Sequence, residues 1–168
     1  MTYTTDSALK YFSNPGLAEA VPATISLFKS LSIDDQLGLL WFAYTEIGYS
    51  ITPAAPGAAR LQFAQGLLDR IRQMSHEEQL EVMRNLAKKV NDPIGRSYGV
   101  LTNNTKLAFW YKLAELMEEG TVVPVPSSYK MSKEAQNLLA AIQNLEFSQQ
   151  ITVLRKITTD MGVDPFAS

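Results

Sequence analysis

Apolar side chains recur along the chain at the three- and four-residue spacing of helices, and no stretch alternates convincingly between apolar and polar as a strand would. This pattern predicts an all-α fold. We expect helices near residues 4–12, 16–31, 33–48, 57–73, 76–90, 93–101, 104–119 and 133–161, the last with a break around 145–148.

Polar residues and glycines mark where several of these helices should begin and end. Ser75 and Glu78 have the three-residue spacing of a capping box, in which each side chain binds the backbone of the other residue. Ser32, Asn103 or Asn104, Ser132 and Ser148 are candidate caps for other helix starts, and Gly120 and Gly162 for helix ends.

Residues 65–86 resemble residues 136–157 when the sequence is shifted by 71 positions without a gap. Leucines at helical spacing match easily by chance, whereas polar identities such as Gln79 with Gln150 do not. The repeat therefore predicts an internal duplication.

Upstream of the repeat, a shift of 69 positions places Trp41 on Trp110. We expect a single domain over residues 1–168, whose two halves pack about a pseudo-twofold axis. A groove on such an axis would suit an elongated ligand with similar ends.

Both tryptophans lie in aromatic stripes at helical spacing, and their flat faces could stack on a conjugated ring. The alternative, that these rings are ordinary core, fits the same spacing. Two proline-bearing connections follow these helices, at residues 51–57 and 121–126. The second is too apolar for a solvated loop, so we expect it to lie against a ligand or over the core of the domain itself.

Composition excludes several other functions. The net charge is −2 with scattered lysines and arginines, which argues against nucleic-acid binding. The chain has no cysteine and one histidine, His76, so thiolate and multi-histidine metal sites are excluded. We find no nucleophile–base pair or phosphate-binding loop and predict that the chain is not an enzyme. Neither a membrane span nor a signal peptide is apparent, which predicts a cytoplasmic protein.

A combination of segments is more specific than any single motif. They are Leu40-Trp41-Phe42-Ala43-Tyr44, Ala54-Ala55-Pro56-Gly57, Lys106-Leu107-x-Phe109-Trp110-Tyr111, Pro124-x-Pro126 and Gln149-Gln150-Ile151-Thr152-Val153-Leu154-Arg155. With these segments the chain closely resembles, over nearly its whole length, the N-terminal domain of the cyanobacterial orange carotenoid protein family.

The resemblance implies two interleaved four-helix bundles with one carotenoid between the halves, a ketocarotenoid such as canthaxanthin or echinenone. The positions matching its binding site are Leu37, Leu40, Trp41, Tyr44, Gly57, Met83, Leu107, Trp110, Tyr111, Met117, Val125 and Ile151.

The resemblance also implies a photoprotective protein that quenches singlet oxygen or carries carotenoid. Longer relatives carry a second domain, so a stand-alone protein with constitutive activity is expected; an excised domain is the lesser possibility. Asn104 and Arg155 match contacts to that second domain. They are therefore candidate contacts for a separate C-terminal-domain homologue that donates carotenoid, or for the phycobilisome, whose direct quenching is the alternative function.

Overall fold

The structure, a computed structural model, describes residues 20–51 and 62–166, without the side chains of 48–51. It contains α1 (Ala20–Ser30), α2 (Ile33–Ile51), α3 (Gln62–Arg72), α4 (His76–Lys88), α5 (Pro93–Gly99), α6 (Asn103–Glu119), α7 (Lys133–Gln143) and α8 (Phe147–Thr159). No strand occurs in these residues. The all-α prediction is confirmed there, including the break before α8. The expected helix over 4–12, residues 16–19 and residues 57–61 lie outside the described part.

Helix caps explain most of these bounds. The Ser75 hydroxyl accepts a hydrogen bond from the backbone N–H of Glu78 at 3.1 Å, and the Glu78 carboxylate accepts one from the N–H of Ser75 at 3.0 Å, as predicted. Ser132 caps α7, and Gly120, with φ 82°, ends α6.

Three predicted caps were wrong. Thr102, rather than Asn103 or Asn104, is the N-cap of α6, and Glu146, rather than Ser148, is the N-cap of α8. Each helix therefore starts one or two residues earlier than its polar candidates suggested, because neighbouring polar residues have similar capping preferences. The last helix ends at Thr159, so Gly162 lies beyond its cap.

The helices of the two halves are interleaved. α1 packs on α7 and α8, as α5 packs on α3 and α4. α2 packs on α4 and α7, as α6 packs on α8 and α3, and α2 and α6 contact each other. These matched contacts build two bundles about a pseudo-twofold axis, and each bundle takes helices from both halves, as predicted.

The same hydrogen bond joins α3 to α4 in the first half and α7 to α8 in the second. The side-chain amide of Gln79 donates to the carbonyl of Ile71 at 3.0 Å, and that of Gln150 donates to the carbonyl of Ile142 at 3.0 Å. These bonds are related by the shift of 71 that the sequence predicts.

In α2 and α6 the register differs from our prediction. The Ser32 hydroxyl accepts from the N–H of Asp35 at 3.2 Å, and the Thr102 hydroxyl accepts from the N–H of Thr105 at 3.2 Å, which is a shift of 70. The order of buried and half-buried positions follows the same shift. The match of Trp41 with Trp110 was therefore wrong by one residue, because caps and burial fix the register of a helix and one shared side chain does not. By this register, Trp41 corresponds to Tyr111 and Leu40 to Trp110.

Candidate functional site

An apolar cavity lies between α2, α4, α6 and the segment of residues 121–131, which we call the strap. It holds about 790 Å³ of empty space, a volume that includes the open solvent at its mouth. The predicted residues that line it are Leu37, Leu40, Trp41, Tyr44, Met83, Trp110, Met117 and Val125.

Further lining residues were not among the predicted site residues, although three of them, Val123, Pro124 and Pro126, belong to the segment expected to lie against a ligand or the core. They are Asp34, Gly38, Leu80, Arg84, Ala114, Val123, Pro124, Pro126 and Tyr129. Helical spacing could have found two of them, because Leu80 lies one turn before Met83 and Ala114 one turn after Trp110.

Three predicted residues lie elsewhere. Leu107, Tyr111 and Ile151 occupy the positions equivalent to Leu37, Trp41 and Leu80 in the other half, where they are buried or packed against the core. The structure thus does not bring them into the described cavity. Gly57 lies outside the described residues.

The strap is fixed at its first end by Gln79, a fully buried side chain on α4. Its amide donates to the carbonyl of Thr121 at 3.1 Å and accepts from the N–H of Val123 at 2.9 Å. The strap's middle contains Pro124 and Pro126, which have no backbone N–H to satisfy. An apolar, proline-rich wall can therefore face the cavity without leaving those donors unpaired.

Asp35 on α2 fixes the other end. Its carboxylate accepts from the Tyr129 hydroxyl at 2.6 Å and from the N–H of Ser132 at 3.4 Å. Burial acts to raise the pKa of Asp35, but these hydrogen bonds outweigh it and leave the pKa below its ordinary value. A Cβ on Gly38 would lie 2.6 Å from the Tyr129 hydroxyl oxygen, so glycine is needed beneath this ring.

An ion pair stands beside the strap at the edge of the cavity. The guanidinium of Arg84 binds both carboxylate oxygens of Asp34, at 2.9 and 3.0 Å. The hydrogen bond with Asp34 raises the pKa of Arg84. This bidentate geometry holds the arginine head group over an otherwise apolar wall.

Two polar groups of the aromatic side chains that line the cavity form hydrogen bonds within the protein. The Trp110 indole N–H donates to the hydroxyl of Tyr98 at 3.0 Å, and the Tyr44 hydroxyl donates to the carbonyl of Leu107 at 2.8 Å. Burial raises the pKa of Tyr44 well above its ordinary value, so this phenol is neutral. The indole N–H of Trp41 is buried and has no hydrogen-bond partner among the described residues.

The two candidate partner-binding residues lie away from the cavity. Asn104 is exposed at the start of α6, and Arg155 borders a surface depression with neighbours that include Lys156 and Asp160. The Nε of Arg155 is buried and forms no hydrogen bond with any residue that the structure describes. In the pseudo-symmetric register, Asn104 and Arg155 are the counterparts of Asp34 and Arg84.

Other kinds of site were also sought in the described residues. They contain no group of three or more histidine, cysteine, aspartate or glutamate side chains that could hold a metal ion. None of their helices combines the length and apolar character needed to cross a membrane.

Known proteins share this fold and sequence. The orange carotenoid-binding domain-containing protein of Nostoc sp. strain PCC 7120 is 62% identical over 170 residues, covering 99% of this chain and 99% of that protein. The structure of the Orange Carotenoid Protein of Anabaena (Nostoc) sp. PCC 7120 binding canthaxanthin has a TM-score of 0.81 and 47% identity, covering 97% of this chain and 53% of the other. The Red Carotenoid Protein of the same organism, also binding canthaxanthin, has a TM-score of 0.76 and 38% identity, covering 84% and 97%.

The chain thus spans about half the length of the Orange Carotenoid Protein it matches and nearly all of the Red Carotenoid Protein. Residues 14–164 match the family described as orange carotenoid protein, N-terminal. The interleaved helical fold agrees with this match, and the resemblance seen in the sequence is confirmed: the chain belongs to the orange carotenoid protein N-terminal family.

Proposed function

We propose that the chain binds one carotenoid in the cavity beneath the strap. The observation that carries the proposal is the cavity wall itself, where two indoles, a phenol and aliphatic side chains face a proline-rich segment. Two solved relatives bind canthaxanthin, which supports a ketocarotenoid such as canthaxanthin or echinenone as the pigment here.

The binding energy of such a pigment would come mainly from its apolar surface, at roughly 25 cal/mol for each Å² removed from water. Helix backbones satisfy their own polar groups, so a helical cavity wall can stay dry. The pigment is elongated, and the predicted site residues that the structure places outside the cavity belong to the other half of the chain. We propose that the pigment continues across the pseudo-twofold axis, towards Leu107, Tyr111 and Ile151, with Gly57 also in contact.

The proposed role is photoprotection, as a constitutive quencher of singlet oxygen and carrier of carotenoid in the cytoplasm. The pigment would supply the excited-state chemistry. The protein would supply solubility and hold the conjugated chain in a fixed orientation, as proteins generally do for cofactors.

The test is expression in a host that makes canthaxanthin, followed by a visible spectrum of the purified protein. We expect a red-shifted, protein-bound pigment band at one pigment per chain, and protection of a photosensitised target from singlet oxygen. A colourless protein would refute the proposal.

Trp110→Ser separates a binding role from a core role. We expect pigment retention to fall at least about tenfold, because an aromatic side chain can contribute about 2 kcal/mol or more where it anchors a binding interface. Phe63→Ser is the control, since Phe63 is 63% exposed and lies outside the cavity lining. Thermal unfolding of the pigment-free variants shows whether Trp110→Ser loses pigment only because it loses stability.

A second candidate function is direct quenching of phycobilisome excitation. The half-buried Arg155, which forms no ion pair among the described residues, and the exposed Asn104 favour it, because they offer a positive charge and an amide to an acidic partner. A separate C-terminal-domain homologue that donates carotenoid would use the same surface. If the pigmented protein lowers phycobilisome fluorescence and Arg155→Leu abolishes the effect without loss of pigment, docking is supported. Unchanged fluorescence with the wild-type protein would contradict it.

A further inference from the structure

Tyr98 on α5 lies behind the cavity wall and is fully buried. Its hydroxyl oxygen accepts the indole N–H of Trp110 at 3.0 Å, and its own proton is donated to the carbonyl of Thr158 at the end of α8. Tyr98 does not itself line the cavity. It therefore joins a cavity-lining indole to the backbone of another helix.

The direction of this hydrogen-bond chain is unambiguous. An indole can only donate and a backbone carbonyl can only accept, so the phenol must accept from Trp110 and donate to Thr158. Burial raises the pKa of Tyr98 far above its ordinary value of 10.0, so the phenol keeps the required proton at any physiological pH.

Neighbouring groups also restrain the Tyr98 ring. The Phe109 ring packs edge-to-face on Tyr98 at 5.3 Å and on Trp110 at 5.8 Å. The ammonium of Lys106 lies 5.4 Å from the centre of the Tyr98 ring. A Cβ on Gly162 would approach the ring to 2.5 Å, so the glycine backbone packs directly against it. The acceptor for the Trp110 indole is thus fixed in place.

The described residues of the first half show no such arrangement. The shift of 70 that relates α2 to α6 places Phe28 at the position of Tyr98 and Leu40 at that of Trp110, and neither side chain can form this bond. The other indole in the cavity wall, that of Trp41, has its N–H unpaired within the described residues. Trp110 is therefore the restrained indole of the two.

We propose that Tyr98 is a positioning residue, which fixes the plane of the Trp110 indole before the pigment binds and thereby slows pigment release. The inference rests on the proposed carotenoid binding. Its physical basis is that a side chain already ordered in the free protein does not lose its rotational freedom again on binding, a cost that otherwise weakens the complex.

A double-mutant cycle tests the proposal in the full chain loaded with canthaxanthin. The four proteins are the wild type, Tyr98→Phe, Trp110→Phe and the double variant, and the measured quantity is the rate of pigment transfer to phosphatidylcholine vesicles. We expect Tyr98→Phe to accelerate release by about three- to tenfold when Trp110 is present. In the Trp110→Phe background the acceleration should be less than about twofold. Equal acceleration in both backgrounds would overturn the proposal, because Tyr98 would then act only through general stability.

A measurement on the pigment-free protein keeps the inference testable if Tyr98→Phe folds poorly. The chain has two tryptophans, so a ¹H–¹⁵N spectrum should show two indole signals, assigned with Trp110→Phe. We expect the Trp110 indole proton to exchange with solvent at least about tenfold more slowly than that of Trp41, as the hydrogen bond implies. Equal exchange would overturn the inference. A wild-type protein with a slow Trp110 proton and no bound canthaxanthin would instead refute the proposed function.

Discussion

In the first half of the chain, Arg84 is neutralised by a bidentate ion pair with Asp34 at the edge of the cavity. Arg155 occupies the equivalent position in the second half, where Asn104 replaces the aspartate and the described residues offer the arginine Nε no hydrogen-bond partner. The two halves of the fold therefore place an arginine at equivalent positions but in different electrostatic surroundings. We call the Asp34–Arg84 pair the first corner and the Asn104–Arg155 pair the second corner. The arginine of the first half is paired within the molecule, whereas that of the second half has no ion-pair partner among the described residues.

The equivalent glutamines of the two halves, Gln79 and Gln150, also differ in their hydrogen bonds. The side-chain amide of Gln79 binds a helix end and also the strap, whereas the side-chain amide of Gln150 binds only the carbonyls of Ile142 and Gln143 among the described residues. What both halves share belongs to the scaffold. What the first half has in addition holds the strap over the cavity.

The largest expected difference between the two halves is in the free energy of unfolding lost when Gln79 or Gln150 is replaced. Gln79→Met should lower the free energy of unfolding by about 2–4 kcal/mol, because it leaves the Val123 N–H and the Thr121 carbonyl without their partner in a buried place. Gln150→Met is the matched control, with an expected loss of about 1–2 kcal/mol, since its surroundings are half-buried and water can replace the amide. Urea denaturation of the pigment-free variants measures both. Equal losses would show that the strap gains nothing from Gln79.

A smaller effect is expected from Asp35, which has Thr105 as its counterpart in the second half. The pKa of Asp35 is lower in the folded protein than its ordinary value of 3.8. Its stabilising effect is therefore present above about pH 4 and is lost as the pH falls through the lowered value. We expect the thermal unfolding midpoint to drop in this acidic range, and to drop less in Asp35→Asn. Because other carboxylates titrate there too, the difference between the two proteins is the test, and parallel curves would contradict the assignment.

The smallest change in the free energy of unfolding should come from giving one corner the residue of the other, by Asn104→Asp or Asp34→Asn. Asn104→Asp places a carboxylate where the first half has Asp34, and a new pair with Arg155 should add no more than about 1 kcal/mol, since such exposed pairs are weak. Asp34→Asn should remove a similarly small amount. If Arg155 docks to an acidic partner, Asn104→Asp should weaken that docking, measured as quenching of phycobilisome fluorescence, and leave the pigment spectrum unchanged. Undiminished quenching would mean that the free cation is not the docking group.

Helix positions were largely predictable because their signals are local. The capping box at Ser75 and the glycine at Gly120 each depend on residues only a few positions apart. The wrong register between α2 and α6 has a different origin. The predicted register matched α2 with α6 by the identity of their tryptophans, whereas burial and capping determine which residues are equivalent.

Much of the candidate cavity was predictable only through the family resemblance. Trp41, Trp110 and Met83 line it as the resemblance implies. The contacts that close it were not predictable, because the bond of Tyr129 with Asp35 joins residues 94 positions apart and that of Arg84 with Asp34 joins residues 50 apart. No local pattern encodes such pairs. Only the apolar character of the strap hinted that it covers something.

The interleaving of the two halves has a consequence for how the chain is made. During synthesis α1 emerges early, yet its main packing partners, α7 and α8, are translated last. The bundle that contains α1, α7 and α8 therefore cannot be completed on the ribosome until nearly the whole chain has emerged, and until then α1 lacks its packing partners. A nascent chain arrested after α4 should accordingly remain sensitive to protease, despite containing an entire repeat.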